Sequence, residues 1–211
     1  MKTANNYNLN QIGVLGISNR YVWNVIDLIR EIGYTPLLVA NREVRGDLGL
    51  PPWVDLADID DETKSLSFVT GVVRPESKKV VLSEGEAQGL SFNQNLISPR
   101  SHLGINVEVG KGSIIRKFSS LDPNSVIENH VTIGPGVIIG HHTRVGDFCH
   151  VANGANISGG CNIEREVYVG SGAIVRDGVS VGQGSIIGMG AVVTRDVPSG
   201  SRVMGNPAKP G

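Results

Sequence analysis

The sequence predicts a small α/β domain of the Rossmann-like βαβ kind, followed by a parallel β-solenoid built from six-residue repeats. Three observations carry that prediction. Of the 28 glycines, 8 precede residue 97 and 20 follow it, and all five histidines, His102 to His150, fall in the second part. Stepping by six from Ile97 to Val193 meets an aliphatic residue at all 17 positions. Ahead of residue 97 the apolar residues instead follow strand and helix periods. The predicted domains are therefore 1–96 and 97–211.

In the first domain, Gln11 to Ile17 carries Ile12, Val14, Leu15 and Ile17 and reads as a buried strand. Ser18 and Asn19 form a polar turn and supply the candidate N-cap of a helix from Tyr21 to Gly33. Within it Val22, Val25, Ile26, Ile29 and Ile32 recur at helical spacing, and Gly33 is placed to end it. Thr35 to Ala40 reads as the second strand. Such a βαβ unit sets a helix N-terminus beside the C-terminal end of its first strand, a natural anion site. Leu66 to Val73 is predicted as a third strand, Asn41 to Thr63 as loop and Glu76 to Gln88 as a short helix. Trp23 and Trp53 are assigned to packing.

In the second domain the 17 aliphatics would arise by chance on the order of once in 10¹⁰ trials if about a quarter of positions were aliphatic. A second register lies four residues after each one: Ser, Thr, Cys, Ala or Val fills all 16 positions from Ser101 to Ala191. Glycine fills 8 of the 16 positions directly after the aliphatic. A period of six is neither helical nor simple alternation. Each hexapeptide is therefore a strand plus a turn, with large and small inward residues filling a narrow prism. Glycine at the corners is expected to meet the unusual backbone angles needed there. Cys149 and Cys161 fall in the small register and are assigned to the core.

Composition excludes several functions. A net charge of −1 without a Lys/Arg cluster leaves no electrostatic footprint for nucleic acid. The apolar stretch Ile12 to Ile17 is far short of the ~18 residues a membrane helix needs, and Met1 to Gln11 is polar. Two cysteines are too few for a disulfide framework, so a reducing cytoplasm is the expected location.

The repeat pattern resembles the hexapeptide acyltransferases, whose fold is a left-handed parallel β-helix of about 18 residues per coil. On that pattern Ile97 to Thr194 supplies five to six coils without an inserted loop; the handedness is implied by the resemblance alone. With the βαβ domain in front, nearly the whole chain resembles bacterial sugar acetyltransferases of the sialic-acid O-acetyltransferase and nucleotide-4-amino-sugar N-acetyltransferase type. The motifs that carry the resemblance are the stretch Ile139, Gly140, His141, His142 through Asp147 to Cys149 and His150, followed by Gly159 and Gly160. Gly188 to Pro198 and the ending Gly205, Asn206, Pro207, Ala208, Lys209 resemble the family's coenzyme A end.

The resemblance implies roles for particular residues. His141 is the general base, and His150 lies beside the acetyl-CoA thioester. Gly159 offers a backbone N–H to the developing oxyanion. Gly172, Ala173, Gly190 and Ala191 leave room for the pantetheine arm, and Pro207 and Lys209 belong to the coenzyme end. Acetyl-CoA is the co-substrate, with no metal, and a nucleotide-linked sugar is the acceptor. Relatives are trimers with the site between two prisms, so a homotrimer is expected. An amine attacking a thioester must shed a proton, and an imidazole of ordinary pKa near 6.5 accepts one at neutral pH, contributing ~10²- to 10⁴-fold. Neither cysteine lies in a recognisable nucleophile motif, which favours direct attack over an acetyl-enzyme.

The chain departs from the family pattern in three places. Relatives carry Asp or Glu directly after the base; here the residue is His142, which leaves Asp147 as the candidate orienting group and sets a second imidazole beside the first. Relatives also carry a glycine-rich loop with Gly-His after the first strand, where this chain reads Gly13 to Arg20. The acidic residue expected after the second strand is replaced by Asn41 and Arg42, which argues against a dinucleotide cofactor. Ser18, Asn19, Asn41 and Arg42 are the candidate substrate-binding residues, with Arg42 suited to a phosphate. N-acetylation of an amino-sugar is the expected reaction. Sugar O-acetylation and a non-catalytic binding role are the alternatives. The same prism also carries zinc in carbonic anhydrases of the γ type, but coil stacking requires histidine spacings of about 18 or 36, and His102, His130, His141, His142 and His150 offer neither.

Overall fold

The computed structural model describes residues 10–44 and 48–211. The polar stretch from Met1 lies outside the described residues up to position 9, as do positions 45–47 of the predicted loop. The chain forms two compact units, one running to Val73 and including Ser77–Gln94, the other comprising Asn95–Gly211 with Arg74–Glu76.

The first unit is a four-stranded parallel sheet with helices. Its strands are β1 (Gln11–Leu15), β2 (Thr35–Ala40), β3 (Trp53–Asp55) and β4 (Phe68–Thr70), and its helices α1 (Val22–Glu31), α2 (Asp61–Lys64) and α3 (Pro75–Ala87). The strand order is β3-β2-β1-β4. The apolar face predicted for the first helix is buried, through Val22, Val25, Ile26 and Ile29. Its C-terminus closes as sequence predicts: Gly33 takes φ +87°, its N–H bonds Arg30 O, and Tyr34 N–H bonds Ile29 O, the paired bonds of a Schellman motif.

The N-terminus of α1 differs from expectation. Tyr21 is the capping residue and makes no side-chain cap bond, while Asn19 Oδ1 accepts from Tyr21 N–H at 2.8 Å, one step too early to cap the helix. The predicted loop 41–63 also holds β3, and it holds a 3-10 turn (Leu56–Asp58) and the start of α2, these last two each begun by an aspartate cap that polar composition disguised: Asp55 Oδ1 accepts from Ala57 N–H, and Asp60 Oδ1 from Thr63 N–H. Neither tryptophan is core; Trp23 and Trp53 are exposed, and the Trp23 indole N–H donates to Leu48 O at 3.0 Å.

The second unit is a three-sided parallel solenoid whose faces carry five, six and eight strands. Residues pair with those 18 positions on, as in Ile127↔Val145↔Ile163 and Ile139↔Ile157↔Val175. The aliphatics from Ile115 to Val193 are all at most 1% exposed, and the small register from Ser113 to Ala191 lines the same interior. Polar members of that register, Ser125 Oγ excepted, are internally bonded: Thr143 Oγ1 donates to Ser158 O (2.7 Å) and accepts from Cys161 N–H (3.1 Å). Cys149 and Cys161 are buried thiols not joined in a disulfide. At the C-terminal end, Lys209–Pro210 turns back to pair antiparallel with Arg202–Met204.

Corner glycines work differently from the sequence expectation. Positive φ falls three residues after each aliphatic from Leu103 to Ile187, at glycine or at Asn106, Phe118, Asn124, His130, His142, Phe148 or Glu166. The glycines directly after the aliphatic are instead required by close approach: a Cβ on Gly170 would lie 2.6 Å from Met189 N in the next coil. One column of glycine serves conformation, the other clearance.

Candidate active site

His141 sits on a β-turn from Gly140 to Thr143, closed by Thr143 N–H donating to Gly140 O and with His142 at φ 57° as its third residue. The turn is pinned between coils, because His142 N–H donates to Pro123 O below and His141 O accepts from Gly160 N–H above. Both imidazoles are exposed.

The His141 ring lies across Gly159 of the next coil. A Cβ there would come within 2.7 Å of His141 Cε1 and Nε2, so only glycine leaves the imidazole its seat. Gly140 in turn clears the backbone of Ser158 and Gly159. Gly159 O accepts from Gly178 N–H, while among the described residues no group accepts from Gly159 N–H. The corner therefore sets an imidazole beside an open backbone donor, a base next to a place where negative charge can develop.

His141 Nδ1 lies 3.1 Å from His142 Nδ1, with the rings edge to face. His142 Nε2 lies 3.4 Å from Asn124 Nδ2, and Asn124 Oδ1 accepts from Asn106 Nδ2 at 3.1 Å. Sequence reasoning missed both asparagines; the signal for them is their column, since Asn106, Asn124 and His142 recur at the coil spacing in positions that require positive φ.

Within the chain, Asp147 is engaged elsewhere. It lies one corner further on, where its Oδ1 accepts from Asn129 N–H (2.9 Å) and Nδ2 (3.0 Å) and its own N–H donates to Glu128 Oε2. Glu128 also pairs with Arg144. Glu128, Arg144 and Asp147, with Glu164, Arg165 and Gln183, line a charged groove of about 440 Å³.

His150 is also separated from His141 within one chain. It faces outward from the eight-stranded face, stacked on Tyr168 (5.1 Å between centroids) and 7% exposed. The turn bearing His141 joins the six-stranded face to the five-stranded face, so it lies opposite the third side on which His150 stands. His130 is stacked on Phe148. Ala173 and Ala191 point inward and are fully buried, so only the edge glycines beside them, Gly172 and Gly190, open outward with nothing near a Cβ position. Pro207 and Lys209 are exposed on the C-terminal return.

In the first unit, the candidates stand beyond the C-terminal ends of the adjacent strands β1 and β2. Ser18 is exposed, and Asn19 is engaged with Tyr21. Asn41 Nδ2 donates to Glu84 Oε2 (2.5 Å) and Arg42 Nη2 meets Glu84 Oε1 (3.5 Å), so Glu84 of α3 engages two of the candidate substrate-binding residues, including the arginine that sequence offered to a phosphate. Among the described residues, no group of three or more His, Cys, Asp or Glu is placed to hold a metal ion, and no helix is long and apolar enough to cross a membrane.

A hexapeptide solenoid with a histidine corner and a Rossmann-like α/β unit ahead of it defines the class: an acyltransferase of the left-handed β-helix kind. Residues 124–159 and 160–195 match the bacterial transferase hexapeptide family of six repeats. Among solved structures, the chain is similar to perosamine N-acetyltransferase from Caulobacter crescentus, in complex with CoA and GDP-perosamine, at 25% identity over 97% of this chain and 98% of that one, with a TM-score of 0.85. It is similar to WeeI from Acinetobacter baumannii at 26% identity, covering 94% and 98% of the two chains, TM-score 0.84. It is also similar to the acetyltransferase domain of PglB from Neisseria gonorrhoeae in complex with acetyl coenzyme A, at 25% identity, 95% and 98% coverage and TM-score 0.82. No curated protein matches the chain. The chain resembles the hexapeptide-repeat acyltransferases over residues 124–195, and its fold is the predicted α/β domain followed by a left-handed parallel β-helix.

Proposed function

We propose that the chain is an acetyl-CoA-dependent N-acetyltransferase acting on the amino group of a nucleotide-linked amino-sugar, in the cytoplasm, for bacterial surface glycans. The observation that carries this reading is the corner at His141, an imidazole seated over Gly159 with the Gly159 N–H open beside it. That corner belongs to a fold shared along both chains with an N-acetyltransferase that holds CoA and GDP-perosamine.

In the reaction, the sugar amine attacks the thioester carbonyl carbon. His141 Nε2, the ring nitrogen not engaged by His142, takes the proton that the nitrogen must lose. The Gly159 N–H stabilises the oxyanion, and collapse of the intermediate expels the CoA thiolate, which is protonated to the free thiol. The products are the N-acetyl sugar and CoA.

The placement of His141 and His150 on opposite sides of one prism supports a homotrimer in which each site takes one histidine from each of two copies.

Thiol release from acetyl-CoA, measured against nucleotide-linked 4-amino-sugars and free sugars, tests the reading. One amino-sugar is expected to turn over, with His141→Ala lowering kcat by about 10²- to 10⁴-fold. Turnover that survives the substitution would remove His141 as base; release only with hydroxyl acceptors would replace N- by O-acetylation.

A further inference from the structure

His142 occupies the position at which the family resemblance leads one to expect a carboxylate, and its ring is engaged at both nitrogens: Nδ1 with His141 Nδ1 at 3.1 Å, Nε2 with the Asn124 amide at 3.4 Å. Asn124 is bonded in turn to Asn106 at 3.1 Å. The three residues are stacked third residues of β-turns, at φ 58°, 61° and 57°, so the coil spacing of the solenoid sets their separation.

Such a ladder has a direction. Each neutral imidazole offers one N–H and one lone pair, and each amide one donor end and one acceptor end, so the polarity of one link fixes the rest. Run from Asn106, the amides donate upward: Asn124 Nδ2–H to His142 Nε2, then His142 Nδ1–H to His141 Nδ1, which leaves the proton of His141 on Nε2. Run the other way, His141 Nδ1–H donates to His142 Nδ1, His142 Nε2–H to Asn124 Oδ1, and Asn124 Nδ2–H to Asn106 Oδ1. His141 Nε2 then presents a lone pair. The amides as placed, Asn106 Nδ2 on Asn124 Oδ1 and Asn124 Nδ2 on His142 Nε2, match the first direction; the second is reached by rotating both amides and exchanging ring protons, with no backbone movement.

We propose that Asn106, Asn124 and His142 are the positioning residues of His141, supplying through two amides and an imidazole what a single carboxylate would supply, and that the ladder runs in the second direction in the active enzyme. The proposal rests on His141 being the base. As Nε2 gains the proton of the amine, the Nδ1–H of the resulting imidazolium stays bonded to the His142 lone pair. Asn124 Oδ1 meanwhile holds the His142 Nε2–H, so the developing charge is shared along the ladder.

Long-range ¹H–¹⁵N correlation of the histidine rings in the full-length, ¹⁵N-labelled protein reads which nitrogen carries each proton. The expected result is His141 as its Nδ1–H form and His142 as its Nε2–H form. Asn124→Gly suits the positive φ while deleting the acceptor; it is expected to lose the His141 Nδ1–H signature and lower kcat about tenfold with KM unchanged, short of the full contribution of a base. Asn124→Asp retains an acceptor and is expected to keep both the tautomer and kcat within about twofold of the parent. An Nδ1–H form at His142, or an Asn124→Gly variant with parental kcat and tautomers, overturns the proposal. His141→Ala run alongside separates the two failures: if it turns over normally the base assignment falls, whereas if it is dead while Asn124→Gly is unaffected, only the ladder falls.

Discussion

Gly159 shows how far a single missing Cβ reaches. The ring of His141 occupies the space that any other residue at 159 would fill, at 2.7 Å from two ring atoms, whereas the space beside Gly140 is bounded by the backbone of Ser158 and Gly159. The two glycines are therefore expected to fail in different ways. Gly159→Ala displaces a side chain at the surface; kcat is expected to fall about 100-fold, the cost of misplacing a catalytic group by about 1 Å, while the melting temperature stays within a degree or two. Gly140→Ala drives a methyl group into the next coil, an overpacking expected to cost about 1–3 kcal/mol and to lower the melting temperature visibly. Steady-state kinetics and thermal denaturation of the pair separate the outcomes. A Gly159→Ala enzyme of full kcat would mean that the imidazole works from some place other than over Gly159.

At the scale of the element, the hexapeptide turns chain position into spatial position by a rule the sequence displays. Every sixth side chain is driven inward, and the 17 aliphatics and their small partners were legible for that reason. The small register also settles the cysteines. Burial pushes the Cys161 thiol up, and its Sγ–H donates to Arg176 O at 3.2 Å. A thiol whose folded pKa is raised contributes stability below its unfolded pKa and loses it as pH rises through the folded value, so this contribution is full at neutral pH and fades only in alkali. Neither cysteine is expected to react with a thiol-specific reagent in the native protein at pH 7–8, and both are expected to react after unfolding; mass-detected labelling of the folded chain would contradict their burial. Side-chain neighbours were less legible, because contact in a solenoid follows the coil and not the chain. Asp147 is six residues from His141 and bonds to Asn129 one corner away, whereas Asn124 and Gly159, distant along the chain, frame the two histidines. The positive-φ column was hidden by its variety, since Asn, His, Phe and Glu share it with glycine. In the α/β unit, β1, α1 and β2 were readable from period and from Gly33, while β3 and α2 were too short to show a period, and α2 depended on an aspartate cap inside a polar segment.

At the scale of the whole molecule, the arrangement of the faces makes the site a matter of assembly. His141 stands at the junction of the five- and six-stranded faces and His150 on the eight-stranded side, so no bending of one prism brings the two rings to a common substrate. If both serve one active site, they come from different copies, and a cyclic trimer supplies three equivalent junctions. That geometry has a consequence no single-chain site shares. His141→Ala and His150→Ala are each expected to be nearly inactive alone, yet dissociating and reassembling them together in equal amounts should restore activity. Every mixed trimer contains one junction at which a chain with intact His141 meets a neighbour with intact His150. About three-quarters of randomly assembled trimers are mixed, so recovery should approach about a quarter of the parental rate. Light scattering on the parent should give three times the chain mass. Recovery indistinguishable from the two variants measured apart would place both histidines' functions within one subunit or remove His150 from the reaction, and a monomeric mass would remove the shared site altogether.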